Sequence, residues 1–162
     1  MIGIMSDSHD DIEGIRRAVD LFNSRRVDLV LHAGDLISPF TVKEFKRLNC
    51  KFRGVFGNND GERYGLNEKF SEIGTELKDF IELEYKGLKI CVYHGTYEAI
   101  VNALVEGNRY DVVVRGHTHR AGVIKKNKTI LINPGEVCGY LTGKKTVAVL
   151  DTKKMEVEVY EI

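Results

Sequence analysis

The chain contains no glutamine, only two prolines, no surplus of either charge and no long apolar run. Each shortage excludes something. No stretch approaches the roughly 20 apolar residues that a membrane-crossing helix requires, so no membrane association is expected. Its 24 basic and 24 acidic residues cancel, which argues against a general nucleic-acid binder, because such proteins displace counterions with a basic surplus. The three cysteines, Cys50, Cys91 and Cys138, are widely spread and form no Cys-x-x-Cys pair, so neither a zinc ribbon nor a disulfide framework is indicated. The segment Met1 to Asp7 lacks the basic start and long apolar stretch of a signal peptide and reads as a first strand. A reducing cytoplasm is the expected setting. The missing glutamine, beside 30% charged residues, matches the low-amide, high-charge tendency of heat-stable proteins.

What is present suits one domain over residues 1–162: 43% of the residues are hydrophobic, enough for one sizeable core. No linker, low-complexity tract or solenoid repeat interrupts it. The first half alternates strand and helix. Ile2 to Met5 and Leu29 to Leu31 are short apolar strands, and Phe52 to Phe56 is a third. Between the first two, Ile12, Ile15, Val19 and Phe22 recur at helical spacing, with Asp10 or Asp11 as cap. A helix after Pro39 carries Val42, Phe45 and Leu48, and another covers Glu62 to Ile73. This rhythm implies parallel strands with right-handed crossovers. The second half is richer in strands: Phe80 to Tyr85, Leu88 to Tyr93, Val112 to Arg115, Gly122 to Lys126, Thr129 to Ile132, Val147 to Asp151 and Val157 to Tyr160, with a helix over Tyr97 to Val105. The expected architecture is α/β, with two packed mixed sheets flanked by helices.

Five apolar runs end alike. They lead into Ser6-Asp7-Ser8-His9, His32-Ala33-Gly34-Asp35, Gly57-Asn58-Asn59-Asp60, His94-Gly95 and Gly116-His117-Thr118-His119. Parallel strands deliver their C-terminal ends to one edge, where α/β proteins bind ligands. Units of about 30 residues separate Asp7, Asp35 and Asn58, as strand–helix–strand repeats require. Any one of these motifs reads equally well as a helix cap or a satisfied polar group; all of them together at strand ends do not. If the later strands point the same way, seven nitrogen and oxygen donors meet: Asp7, His9, Asp35, Asn58, His94, His117 and His119. Mixed imidazole and carboxylate donors suit Mn, Fe, Ni or Zn better than Ca or Mg. The set is too large for one ion that must leave room for substrate, and it holds no thiolate of the kind structural zinc uses. His32 lies inside its strand run and is assigned to packing or to hydrogen bonding behind the donors.

Asp-Ser-His, Gly-Asp, Gly-Asn-Asn-Asp, His-Gly and Gly-His-Thr-His, taken together over nearly the whole chain, resemble the calcineurin-like metallophosphoesterase superfamily. Within it the chain is most similar to small single-domain phosphodiesterases of archaea and bacteria related to the retromer subunit Vps29. The resemblance implies a four-layer αββα sandwich and a divalent-metal-dependent hydrolase of phosphate esters, diesters more than monoesters. It implies two ions, manganese or nickel first and zinc or iron as alternatives, with a hydroxide shared between them. It also implies that Asp7, His9 and His119 hold one ion, that Asn58, His94 and His117 hold the other, and that Asp35 bridges them. Asp35, Asn58, His94 and His117 are read as the catalytic residues. The partner is a small phosphate ester, and a homo-oligomer stays open. A Vps29-like interaction scaffold, or a metal-binding regulator with residual activity, is the alternative, disfavoured because every ligand position is filled.

One position departs from the superfamily. Many members carry His after the metal-binding Asn to assist the leaving group; Asn59 stands there, and an amide cannot donate a proton as an acid. Asp60 is read either as orienting His9 or as a turn residue. Asn133-Pro134-Gly135 is read as a turn bordering the site, with a purely structural role favoured over a functional one. Cys138 precedes Lys144, not Arg, by six residues, so the Cys-x5-Arg pattern of cysteine phosphatases is absent and Cys138 is expected to be buried and structural.

Overall fold

A computed structural model describes residues 1–162. Two five-stranded mixed sheets form the centre. The first has the order β10-β9-β1-β2-β3, from β1 (Ile2–Met5), β2 (Leu29–His32), β3 (Lys51–Gly54), β9 (Thr146–Asp151) and β10 (Glu156–Glu161). The second has the order β4-β5-β6-β8-β7, from β4 (Phe80–Tyr85), β5 (Leu88–Tyr93), β6 (Val112–Val114), β7 (Gly122–Lys126) and β8 (Thr129–Asn133). In the first sheet β1, β2 and β3 run parallel, and in the second β5, β6 and β8 do.

Strand alternation explains the layering. Ile2, Ile4, Leu29, Leu31 and Leu150 of the first sheet pack with Ile90, Val92, Val112, Val114 and Ile132 of the second, forming the inter-sheet core. The opposite face of the first sheet, with Met5, Val30, Phe52 and Val149, is covered by α1 (Ile12–Ser24), α2 (Val42–Phe45) and α3 (Arg63–Ser71). Cys91 and Val113 point outward from the second sheet toward Val105 of α4 (Glu98–Glu106). The result is the expected αββα sandwich. Both faces of the central strands are buried, so their sequences are continuously apolar rather than alternating. Gly3 belongs to the helix-facing set because a Cβ there would lie 2.7 Å from the Phe22 ring.

Most element ends fall within a residue or two of the sequence expectation, and the differences with a clear cause are these. The helix after Pro39 opens with a 3-10 turn (Pro39–Thr41) and stops at Phe45, short of Leu48. Asn23 of α1 takes the Arg47 carbonyl at 2.8 Å and the Asn49 N–H at 2.9 Å, which removes those groups from any continuing helix. β3 ends at Gly54 rather than Phe56: Val55 still donates to His32 O at 3.0 Å but bridges Lys78, and Phe56 N–H donates to Lys78 O at 2.8 Å instead of to β2. The α1 cap is also not a side-chain cap: Asp11 pairs with Lys145, and Asp10 accepts the Ser38 N–H at 2.9 Å. No helix is long and apolar enough to cross a membrane.

The α1–α2 contact supplies a stability test. Buried Glu44 accepts from Arg16 at 3.0 Å and from Arg47 at 3.3 Å. The Arg16 hydrogen bond, reinforced by Arg47 and opposed by burial, holds the Glu44 carboxyl below its ordinary range. A carboxyl lowered in the folded state stabilises it above its unfolded pKa and loses that contribution as pH falls through the folded value. Glu44→Gln is expected to cost about 1 kcal/mol near neutral pH, since both guanidiniums stay half-exposed and screened. Urea unfolding should show the difference at about pH 7 and a much smaller one at about pH 3.

Candidate metal centre

The parallel strands of both sheets end at one edge, and backbone bonds tie their exit loops together. Asp7 N–H donates to Gly34 O at 3.0 Å, His9 N–H to Asp35 O at 3.1 Å, and Gly116 N–H to His94 O at 2.9 Å. Bonds also cross between the sheets, among them His94 Nδ1 to Ala33 O at 2.7 Å and the His117 N–H to Asp7 Oδ2 at 3.1 Å. All seven donors named from sequence face this junction. One atom each of Asp7, His9, Asp35 and His119 lie within 4.8 Å of one another. His94 Nε2 sits 2.9 Å from Asn58 Oδ1 and 3.5 Å from Asp35 Oδ2, and the His117 ring meets the His94 ring edge-on at 5.2 Å.

Backbone conformation at the site is unusual. Asp7, His9, Asp35, His117 and His119 all have left-handed φ, between 41° and 67°. That region costs an L-residue about 1–2 kcal/mol, and strain of this kind concentrates where side chains must be aimed. The backbone also approaches closely: a Cβ on Gly57 would stand 2.1 Å from Asp35 Oδ1, and one on Gly116 1.9 Å from Ser6 Oγ.

The donor set fits divalent cations on electrostatic grounds. A carbonyl oxygen only accepts, so His94 Nδ1 carries a proton against Ala33 O, and Nε2 faces the Asn58 and Asp35 oxygens, where a second proton or a cation must stand. His119 repeats the arrangement. Its Nδ1 donates to Glu136 Oε2 at 2.7 Å, leaving Nε2 3.3 Å from the Asp7 carboxylate. His9 Nε2 lies 3.4 Å from Asp35 Oδ2. Acceptors thus face acceptors, which is unfavourable unless a proton or a cation lies between them. Metal–ligand bonds of about 2.0–2.2 Å put neighbouring ligand atoms about 3.0–3.4 Å apart, close to these separations. Asp7 Oδ1 and His9 Nε2 are moreover buried with no hydrogen-bond partner, and such orphans are rare in folded proteins.

Titration reflects the same crowding. Burial raises the Asp7 carboxyl above its ordinary value, despite the Ser6 hydrogen bond and nearby histidines. Burial works in the same direction on Asp35, but His94 and the Asn59 donors outweigh it and hold that carboxyl low. Burial opposes protonation of His94, yet Asp35 and Asp7 raise it overall, while burial and the neighbouring His94 lower His117.

The residues behind the donors were only partly legible in the sequence. Asn59 donates to Asp35 twice, from its backbone N–H and its amide, each at 2.8 Å. Asp60 makes no bond to His9, correcting one of its two readings. It accepts the backbone N–H groups of Asp35, Ile37 and Gly57 at 2.6–3.0 Å, because its carboxylate is aimed at the Asp35 loop across the β2–β3 exits. His32 accepts the Gly34 N–H and meets Ser8 Oγ, both at 3.1 Å, while its ring packs on Phe45 and Phe52. Burial pushes it down to about 3, so it stays neutral.

Glu136 was missed. Fully buried, it accepts from His119, Cys138, Leu141 and Thr142. Burial works against its charge, but His119 and Thr142 prevail and hold its carboxyl down at about 2. The only sequence signal was a charged residue inside an otherwise apolar and small run after Asn133-Pro134-Gly135. Arg115, nine-tenths buried, was also passed over; its guanidinium donates to Gly95 O at 3.1 Å and Gly116 O at 3.3 Å, stapling the two histidine loops. Cys138 is buried as expected, and burial together with Glu136 pushes its thiol up to about 12, far from a nucleophilic thiolate.

Comparison with known proteins agrees with this geometry. Residues 1–155 match the calcineurin-like phosphoesterase superfamily domain. A phosphodiesterase of Methanocaldococcus jannaschii is 44% identical over 157 residues, covering 96% of this chain and 95% of its own. A probable metallophosphoesterase of Methanothermobacter thermautotrophicus is 31% identical, covering 98% and 91%. Among solved structures, that of an archaeal phosphodiesterase superposes with a TM-score of 0.96 at 42% identity, covering 99% of both chains. Vps29 of Cryptosporidium parvum shares the fold at a TM-score of 0.71 and 19% identity, covering 99% of this chain and 96% of its own. Strand-end donors, paired acceptors that call for cations and similarity along nearly the full length converge: this chain belongs to the calcineurin-like phosphoesterase superfamily.

Proposed function

We propose that this protein is a phosphodiesterase whose centre takes two divalent ions, manganese or nickel first. The observation that carries this reading is the set of facing acceptors, with Asp35 placed between His9 at 3.4 Å and His94 at 3.5 Å, where one carboxylate can serve two ions. Asp7, His9 and His119 would hold one ion, and Asn58, His94 and His117 the other. When bound, the ions supply a water acidified toward neutral pH and positive charge against the phosphoryl oxygens.

The chain's own residues set the rest. Ala33 O and Glu136 fix the tautomers of His94 and His119, so each presents Nε2 inward. Asp7 and Asp35 together carry two negative charges against four positive ones, leaving a centre that attracts a diester anion. Asn59 lies on Asp35 where an acidic imidazole would assist the leaving oxygen, and its amide has no proton to give up. The favoured substrates are therefore diesters whose leaving oxygen carries charge well. The Methanocaldococcus jannaschii relative, named a phosphodiesterase, supports the diester preference. Cys50, Cys91 and Cys138 are free thiols, in keeping with a reducing cytoplasm. A scaffold role of the Vps29 kind draws on the shared fold alone.

Metal-stripped protein given Mn, Ni, Zn, Fe or Mg separately tests the reading. Mn or Ni should restore hydrolysis of an aryl diester, with a higher kcat/KM than for the aryl monoester, and metal analysis should find two ions per chain. Hydrolysis indifferent to every ion, or one ion per chain at full activity, would count against it.

A further inference from the structure

Three rings run in a row from the metal centre to the surface. The His119 and His9 rings stack at 5.3 Å between centroids and 29° between planes. The Tyr140 ring follows His9 at 6.4 Å and 46°. His119 is buried and His9 half-buried, but Tyr140 is 66% exposed and its neighbour Leu141 is 74% exposed. Two large apolar side chains therefore stand uncovered at the rim.

They are also held in place. Glu136, the carboxylate that orients His119, accepts the Leu141 N–H at 3.1 Å and the Thr142 N–H at 2.6 Å. Gly143 N–H closes a turn onto Gly139 O at 3.1 Å. Gly139 has φ of +69°, and a Cβ there would lie 2.9 Å from Lys145. One buried carboxylate thus fixes both a metal-facing histidine and the loop that carries Tyr140. A loop whose backbone is already held loses little freedom when a ligand settles on its side chain, so less of the stacking energy is spent on ordering it.

We propose that Tyr140, flanked by Leu141, is a specificity-determining platform that stacks the retained ester group of the substrate, and that this group is a planar aromatic ring such as an aryl group or a nucleobase. The inference rests on the phosphodiesterase reading of the same centre. The retained group is the one assigned, because binding energy placed on a non-reacting part of the substrate can position phosphorus and persists through the reaction. Tyrosine suits the task, since its face is apolar and polarisable and accepts any planar partner.

Two diesters that expel the same nitrophenolate make the test: bis(4-nitrophenyl) phosphate and methyl 4-nitrophenyl phosphate. Tyr140→Ala should lower the preference for the first over the second about five- to tenfold, through KM rather than kcat. Tyr140→Phe should restore the preference, because the ring and not the hydroxyl acts. An equal change with both substrates, or a phenylalanine variant that behaves like alanine, overturns the proposal. If the wild type hydrolyses neither diester with any added ion, the reaction assignment fails and the platform is judged by calorimetry of the metal-loaded protein. Tighter binding of diphenyl than dimethyl phosphate, lost in Tyr140→Ala, supports it; no preference in the wild type overturns it. An unchanged melting temperature checks that the exposed substitution leaves the fold intact.

Discussion

Asp35→Ala is expected to lower metal-dependent hydrolysis by about 10³–10⁴-fold, on the order of 4–5 kcal/mol of transition-state stabilisation, and to empty the centre of bound ions. Asp35 is buried, stands between His9 and His94, and accepts both donors of Asn59. Without it the facing imidazoles have no anion to balance a divalent charge, and affinity at both seats should fall together. Part of the damage would be conformational, because φ at Asp35 is 61° and alanine costs about 1–2 kcal/mol there. Asp35→Asn is the companion variant, since asparagine tolerates that backbone and keeps the shape while removing the charge. Metal content and kcat/KM of both variants decide the matter. Two ions per chain with undiminished hydrolysis in Asp35→Asn would remove the assignment of this carboxylate.

Glu136→Gln is expected to weaken metal binding by about 10–100-fold and to destabilise the fold by about 1–3 kcal/mol, although the two side chains are nearly isosteric. The reason is donor counting. His119 Nδ1, the Leu141 and Thr142 N–H groups, the Thr142 hydroxyl and the Cys138 thiol all converge on the two carboxylate oxygens. An amide at this position turns an NH₂ group toward some of those donors and leaves them unpaired in a buried site. It also frees the His119 tautomer, so Nε2 is no longer kept as the inward lone pair. Metal titration of the stripped protein and urea unfolding read the two effects separately. Affinity within twofold of wild type would mean that Glu136 holds the loop without orienting the histidine.

The parts legible in the sequence were those with a local cause. Continuous apolar runs marked β1, β2 and β6 because both faces of a central strand are buried, and the spacing Ile12, Ile15, Val19, Phe22 marked α1 because one helical face is. The meeting of these seven side chains was legible because each stands within a few residues of a strand end, and parallel strands carry their ends to one edge. Helix ends were less legible: α2 stops early because Asn23, on another helix, takes its continuing backbone groups.

The sequence by itself therefore determined the strand–helix rhythm, the kinds of polar side chain at the strand ends and the edge at which they meet. Only the tertiary structure decided how those side chains are aimed: which strand neighbours which, that Asp60 clips the Asp35 loop, that Glu136 orients His119, and that Tyr140 is left uncovered beside His9. The physical reason is range. Periodicity and strand exits are properties of consecutive residues, whereas a contact such as His117 with Asp7, 110 positions apart, exists only once two sheets have packed face to face.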